Sequence, residues 1–241
     1  MIYLTIVDAI LILFLLCGAV LGFKKGAIKS LVAFIGTIAL IVISFYLKNP
    51  VAEFLFEYGP FFNFAGEWEG LTTLNILLYE GIAYILVFVV LSGVLSLLLK
   101  VSGIIEKILK FTIILGIPSK ILGAILGLLE AFAFSFIVLF LLLQFNGTSK
   151  YISNSPISMK VLDKTPFIGP MVEDTYEAII DINKLKEKYK NSPDKDAYNR
   201  EILNIMLNYE VITTEATQKL IDNQKLSFEG AQSILDSFKE D

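Results

Sequence analysis

The chain contains no histidine among its 241 residues. That absence removes a Ser-His-Asp or Cys-His nucleophile, any His-ligated metal and any imidazole pH switch. A single cysteine, Cys17, excludes an intrachain disulfide and a multi-cysteine metal cluster. Charge is scarce too, at 18% of residues against roughly 25% in an ordinary soluble domain. The 20 Lys and Arg form no basic stripe and are outnumbered by 24 Asp and Glu, which argues against nucleic acid as a partner. An enzyme is not expected. A membrane serine protease would want a histidine base, and an aspartic type would want two facing intramembrane Asp residues where only Asp8 is available. No cofactor or metal is implied.

What is present is apolar. Apolar residues make up 55% of the chain, and the mean hydropathy is +0.69. The charges are unevenly spread: residues 1–145 carry eight Lys and eight acids, so the whole net charge of −4 falls on residues 146–241. The pattern is a membrane domain over 1–145 joined to a polar C-terminal tail over 146–241.

A bilayer core about 30 Å thick needs roughly 20 apolar residues of helix. Four stretches meet that need: about 2–23, 30–47, 81–99 and 121–145. The fold class is therefore an all-α membrane protein with four transmembrane helices. The first stretch reads as a retained span and not a signal peptide, because Asp8 stands where a positive n-region would be and no small-x-small cleavage site follows. Lys24, Lys25 and Lys29 lie in the first loop, and Lys100, Lys107, Lys110 and Lys120 in the third. Positive loops stay cytoplasmic, so both termini are expected outside.

The second loop, about 48–78, is rich in Phe and Tyr and ends near Trp68, which suits an interfacial loop or short helix or, alternatively, an aromatic pocket. Residues 101–115 place Ile104, Ile105, Ile108 and Leu109 on one helical face and Glu106, Lys107 and Lys110 on the other. That is the pattern of an amphipathic helix in the inner leaflet. The tail shows Ser155-Pro156 and Thr165-Pro166 turns and helical patterns over about 172–190 and 197–209. Two short helices follow, one capped by Thr214 and one opening near Ser227. Ile202, Ile205, Met206, Leu220, Ile221, Leu226, Phe228, Ile234, Leu235 and Phe238 could share a small core.

Gly18, Gly22 and Gly26 recur every four residues, and Gly123, Gly127, Ala131 and Ser135 repeat the spacing in the fourth span; Gly36 adds a small site in the second. Small residues so spaced let helix backbones approach. They could pack the bundle, join two copies or line a permeation path. Asp8 and Glu80 stand near span ends, where they can reach the interface, whereas Glu130 lies about 14 Å along the fourth helix, near mid-bilayer. No Lys or Arg inside a span is expected to neutralise Glu130 within the monomer. It would be protonated and hydrogen-bonded, face a polar cavity or sit at a subunit contact.

Val7-Asp8 opening an apolar helix, then Gly18-Ala19-Val20-Leu21-Gly22-Phe23-Lys24-Lys25-Gly26, then Gly36, and later Gly123-Ala124-Ile125-Leu126-Gly127, form an ordered set. In that set, residues 1–145 resemble the colicin V production protein family, CvpA. The resemblance implies a bacterial inner-membrane protein linked to bacteriocin production and envelope homeostasis, with Asp8, Gly18, Gly22, Lys24, Lys25, Gly26, Gly36, Gly123 and Gly127 as motif positions. Glu130 departs from the basic or small residue more usual in the family. The tail's Ser-Pro and Thr-Pro-Phe segments resemble those of Gram-positive relatives.

Two functions follow as expectations. One is a non-enzymatic membrane protein supporting toxin production or export and envelope integrity, with the tail contacting itself in an oligomer or other envelope proteins. The other is a small channel or transporter with Glu130 and the glycine ladders lining a path.

Overall fold

The computed structural model describes residues 5–101, 116–144, 146–164, 169–189, 192 and 194–239. The expected inner-leaflet helix and the Thr165-Pro166 turn lie outside these residues. Among the described residues the chain is all-α: α1 (Ile6–Lys25), α2 (Ala27–Tyr58), a 3-10 turn (Gly66–Trp68), α3 (Leu74–Val101), α4 (Gly116–Gln144), α5 (Asn146–Ser153), α6 (Pro156–Lys164), α7 (Gly169–Tyr189), α8 (Lys195–Asn208), α9 (Thr214–Asp222) and α10 (Ala231–Ser237). Helices α1 to α4 are long and apolar enough to cross a membrane, as the four apolar runs required.

Two compact units result. Unit one comprises Met1–Leu47 and Ile85–Gly169, and unit two comprises Lys48–Tyr84 and Pro170–Asp241. In unit one α1 packs most extensively on α4. About 44% of the most apolar stretch of α4 is buried, against 17–22% for the other three spans, which makes α4 the most enclosed of them. The outer faces of α1 to α4 expose Leu, Ile, Val and Phe, the composition of a lipid-facing surface.

The α1–α2 corner follows from local chemistry. Gly26 adopts φ 78°, a conformation open to glycine, and its N–H closes α1 on the Gly22 carbonyl at 2.9 Å. The first N–H of α2, from Ala27, donates to Ser119 Oγ on α4 at 3.0 Å. Lys24 and Lys25 occupy the last turn of α1, where cations complement the helix dipole.

Helix α2 departs from the expected loop. The second loop is expected from about residue 48, yet the helix continues to Tyr58. Pro50 removes one backbone hydrogen bond, but Ala52 and Phe56, one turn apart, are buried in unit two and hold the segment helical. Of the aromatic residues of this region, Phe56, Trp68 and Tyr79 are buried in a core, whereas Phe54, Tyr58 and Phe62 are exposed. Phe56, Phe61 and Phe62 surround Tyr79 with ring centroids 6.2–6.3 Å away, and the Tyr79 hydroxyl donates to the Pro60 carbonyl.

The remaining core of unit two comes from α7 to α10. Ile202, Met206, Leu220, Leu226, Phe228 and Leu235 are buried as the spacing indicates, whereas Ile205, Ile221, Ile234 and Phe238 are half-buried. Leu203, Leu207, Val211 and Ile212 join the core instead. Thr213, not Thr214, caps α9 by accepting from the Ala216 N–H at 3.1 Å. The last helix begins only at Ala231, after Gly230 at φ 87° turns the chain.

Candidate functional site

The i, i+4 spacing of the glycines in α1 and α4 brings two bare backbone strips face to face within unit one. A Cβ added to Gly22 would lie 2.0 Å from the Gly123 carbonyl oxygen, and one added to Gly127 would lie 2.3 Å from that of Gly18. No side chain larger than hydrogen fits there without moving a helix. Gly36 differs: an added Cβ would meet only Leu95 Cδ2, at 3.5 Å.

Asp8 is fully buried and serves two helices. Its Oδ2 accepts from the Thr5 N–H at 2.7 Å and the Thr5 hydroxyl at 2.8 Å, while Thr5 Oγ1 receives the Asp8 N–H at 3.2 Å, closing a capping box on α1. Its Oδ1 accepts from Ser155 Oγ at 2.6 Å and from the Ile157 N–H at 2.9 Å. Ser155 in turn caps α6 by accepting from the Ser158 N–H at 3.0 Å, and Pro156 takes the first helical position, which it suits. The oxygens of Asp8 are thus taken by the ends of α1 and α6.

Glu80 is also buried. It pairs with the ammonium of Lys48, which α2 and α3 bring together within unit two. Glu130, expected to lack a cation within the monomer, has one: Lys25 Nζ lies 3.6 Å from its Oε2. A helical side chain leans toward the N-terminus of its own helix, so the long Lys25 stem turns back along α1 to reach a carboxylate on α4. Lys24, its neighbour, is exposed. A cavity of about 170 Å³ adjoins the pair, lined also by Phe14, Cys17, Thr37 and Phe134.

In unit two the polar side chains that fix α7 to α10 on residues 48–84 escaped the sequence reading. Lys225 Nζ donates to the carbonyls of Phe56, Glu57 and Gly59, the last two at 2.7 and 2.9 Å, and stands 5.3 Å over the Phe61 ring. Its three donors thus close the C-terminal end of α2, whose last carbonyls lack helical partners. Burial pushes its ammonium below the ordinary lysine value. Asn199 on α8 accepts from the Thr73 N–H at 3.2 Å and from the Thr73 hydroxyl, and donates to the Gly70 and Lys195 carbonyls at 2.9 and 3.0 Å. Asn75 is bonded in the same manner to Phe62 and Thr72.

Glu201 accepts from Tyr189 and Lys188. Burial alone would raise its carboxyl, but these two donors outweigh it and hold the group below the usual carboxylate range. The Tyr189 phenol, by burial and then by its bond to Glu201, is pushed up to about 12. One signal could have found Lys225: a lone cation among apolar core residues, Leu220, Leu226 and Phe228, calls for acceptors.

The geometry joins comparisons with known proteins. The uncharacterized transmembrane protein YshB of Bacillus subtilis (strain 168) is 25% identical over 180 residues, which cover 70% of this chain and 96% of the relative. No solved structure matches. The family model described as colicin V production protein matches residues 7–166, a stretch that holds the four spans, Asp8, both glycine strips and the Lys25–Glu130 pair. The chain belongs to the colicin V production protein family.

Proposed function

We propose that this is a non-enzymatic protein of the inner, or cytoplasmic, membrane that supports toxin production or export and envelope homeostasis through unit two as an interaction module. The observation that carries the reading is the construction of unit two. The polar side chains of Lys225, Asn199 and Asn75 are engaged in fixing helices, while the tilted rings of Phe54 and Tyr58 meet at 4.9 Å and stay exposed. A rigid surface with exposed aromatics suits protein contact. The partner is a second copy or another envelope protein. Lysine placement supports both termini and unit two outside, and protease added to intact cells would then cleave residues 170–241.

Complementation tests the reading. In a deletion strain, the full chain should restore toxin secretion and dye exclusion, and a chain lacking 170–241 but inserted at equal level should not. Full rescue by the shortened chain would contradict it.

The cavity beside Lys25 and Glu130 supports a second reading, a small channel or transporter. Solute flux into proteoliposomes, lost on Glu130→Gln, would favour it, and no flux would retire it.

A further inference from the structure

The Lys25–Glu130 pair is incompletely satisfied. At 3.6 Å its two groups stand beyond hydrogen-bond length, and among the described residues neither makes a hydrogen bond. The ammonium has three donors to place and the carboxylate about four lone-pair sites. Both remain accessible, at 43% and 24% of their side-chain surfaces. Glu130 follows Gly127, which faces Gly18 and Gly22, so the pair lies inward of Lys25's own backbone, where unmet charge is costly.

The cavity is walled along α1 by Leu21, Gly18, Cys17 and Phe14, on the side of the pair toward the start of that helix. Its walls at Phe14, Leu21 and Phe134 are apolar and open to the lipid-facing surface. A charged end at one level and an apolar trough running with the helix is the outline of a phospholipid.

The geometry points to a bound phospholipid whose headgroup carries a primary ammonium, of the phosphatidylethanolamine class, with its phosphate on Lys25, its ammonium on Glu130 and an acyl chain in the trough. Charge complementarity selects this occupant. A headgroup bearing both signs answers both members of the pair. An anionic headgroup would set a second negative charge beside Glu130 with Lys25 alone to meet the two. A choline headgroup has no N–H to donate to the carboxylate. The proposal concerns a seated lipid and stands apart from both functional readings.

Native mass spectrometry of the full chain with added dioleoyl-phosphatidylethanolamine, -phosphatidylglycerol or -phosphatidylcholine tests it. Phosphatidylethanolamine should be retained about five- to tenfold better than phosphatidylcholine, the size of one charge-assisted hydrogen bond at a partly exposed site. Glu130→Gln should bring the two to the same level. Cys17→Phe, which fills the trough, should lower retention of all three. A phosphatidylethanolamine with a photoreactive acyl chain should label peptides containing Phe14 or Phe134. If Glu130→Gln reduces the yield of folded protein, Lys25→Gln tests the phosphate contact, which all three lipids share, and should lower retention of each while the preference for ethanolamine over choline persists. Best retention of phosphatidylglycerol, equal retention of all three lipids, a preference untouched by Glu130→Gln, or retention untouched by Lys25→Gln would overturn the proposal.

Discussion

Gly22→Ala is the most exacting perturbation of unit one. Its Cβ would stand 2.0 Å from the Gly123 carbonyl oxygen and 2.8 Å from Gly127 Cα, both backbone atoms that cannot rotate aside. Ordinary contact requires about 3.4 Å, so α1 and α4 must part by roughly 1.4 Å along their closest seam. Overpacking of this kind costs about 1–3 kcal/mol, and the better helix propensity of alanine returns about 1 kcal/mol at most. Because backbone lies on both sides, a net loss of about 2 kcal/mol is expected. Gly93→Ala supplies the control, since nothing lies within 4 Å of its added Cβ. It should be neutral or stabilising by about 0.5–1 kcal/mol. Energy transfer between labels at Cys17 and at Val138→Cys, both exposed, follows the separation of α1 and α4 during titration with a denaturing detergent. A lower midpoint for Gly22→Ala than for Gly93→Ala is predicted. Equal midpoints would refute the close backbone contact.

Other perturbations address the polar anchors. Asp8→Asn puts an amide N–H₂ against the Thr5 or Ser155 donors, so it should cost about 2–3 kcal/mol in the same titration and free α6 to proteolysis. Lys225→Met leaves the Glu57 and Gly59 carbonyls without their donor. It should destabilise unit two by about 1.5–3 kcal/mol, read as faster amide exchange in α9 and at the end of α2. Glu201 is held below its ordinary carboxylate value, so the unfolded chain binds more protons near pH 4–5 than the folded one. The stability it contributes is full above its ordinary value of 4.5 and is lost as pH falls through the lower folded value. Thermal unfolding followed by Tyr189 and Trp68 fluorescence between pH 7 and 3 should show this loss, and Glu201→Gln should flatten it.

The four spans were legible because a helix of lipid-facing residues has no alternative in a bilayer. Their ends were less so. Apolar runs such as 30–47 and 81–99 mark where hydrocarbon is, whereas α2 and α3 continue wherever other burial supports them, as at Ala52, Phe56, Ile76 and Leu77. The tail helices α8 and α9 were readable from spacing and caps, local signals held within a few residues. Asp8 and the glycines drew attention by residue type and period alone. Their partners did not, because Asp8 meets Ser155 across 147 positions and Lys225 meets the end of α2 across more than 160. One sequence records which residues need partners, and only the fold brings those partners within reach. Glu130 is the instructive case: no Lys or Arg stands inside an apolar run, yet Lys25, whose backbone lies in the last turn of α1, reaches the carboxylate with its long side chain.

The most direct test of unit two as an interaction module is photocrosslinking in intact cells from a photoreactive residue placed at Phe54, which is 61% exposed. The account predicts a discrete adduct of higher mass, either the dimer or a complex with another envelope protein, that weakens when Lys225→Met loosens the unit. A chain recovered only as monomer, from Phe54 and from Tyr58 alike, would contradict it.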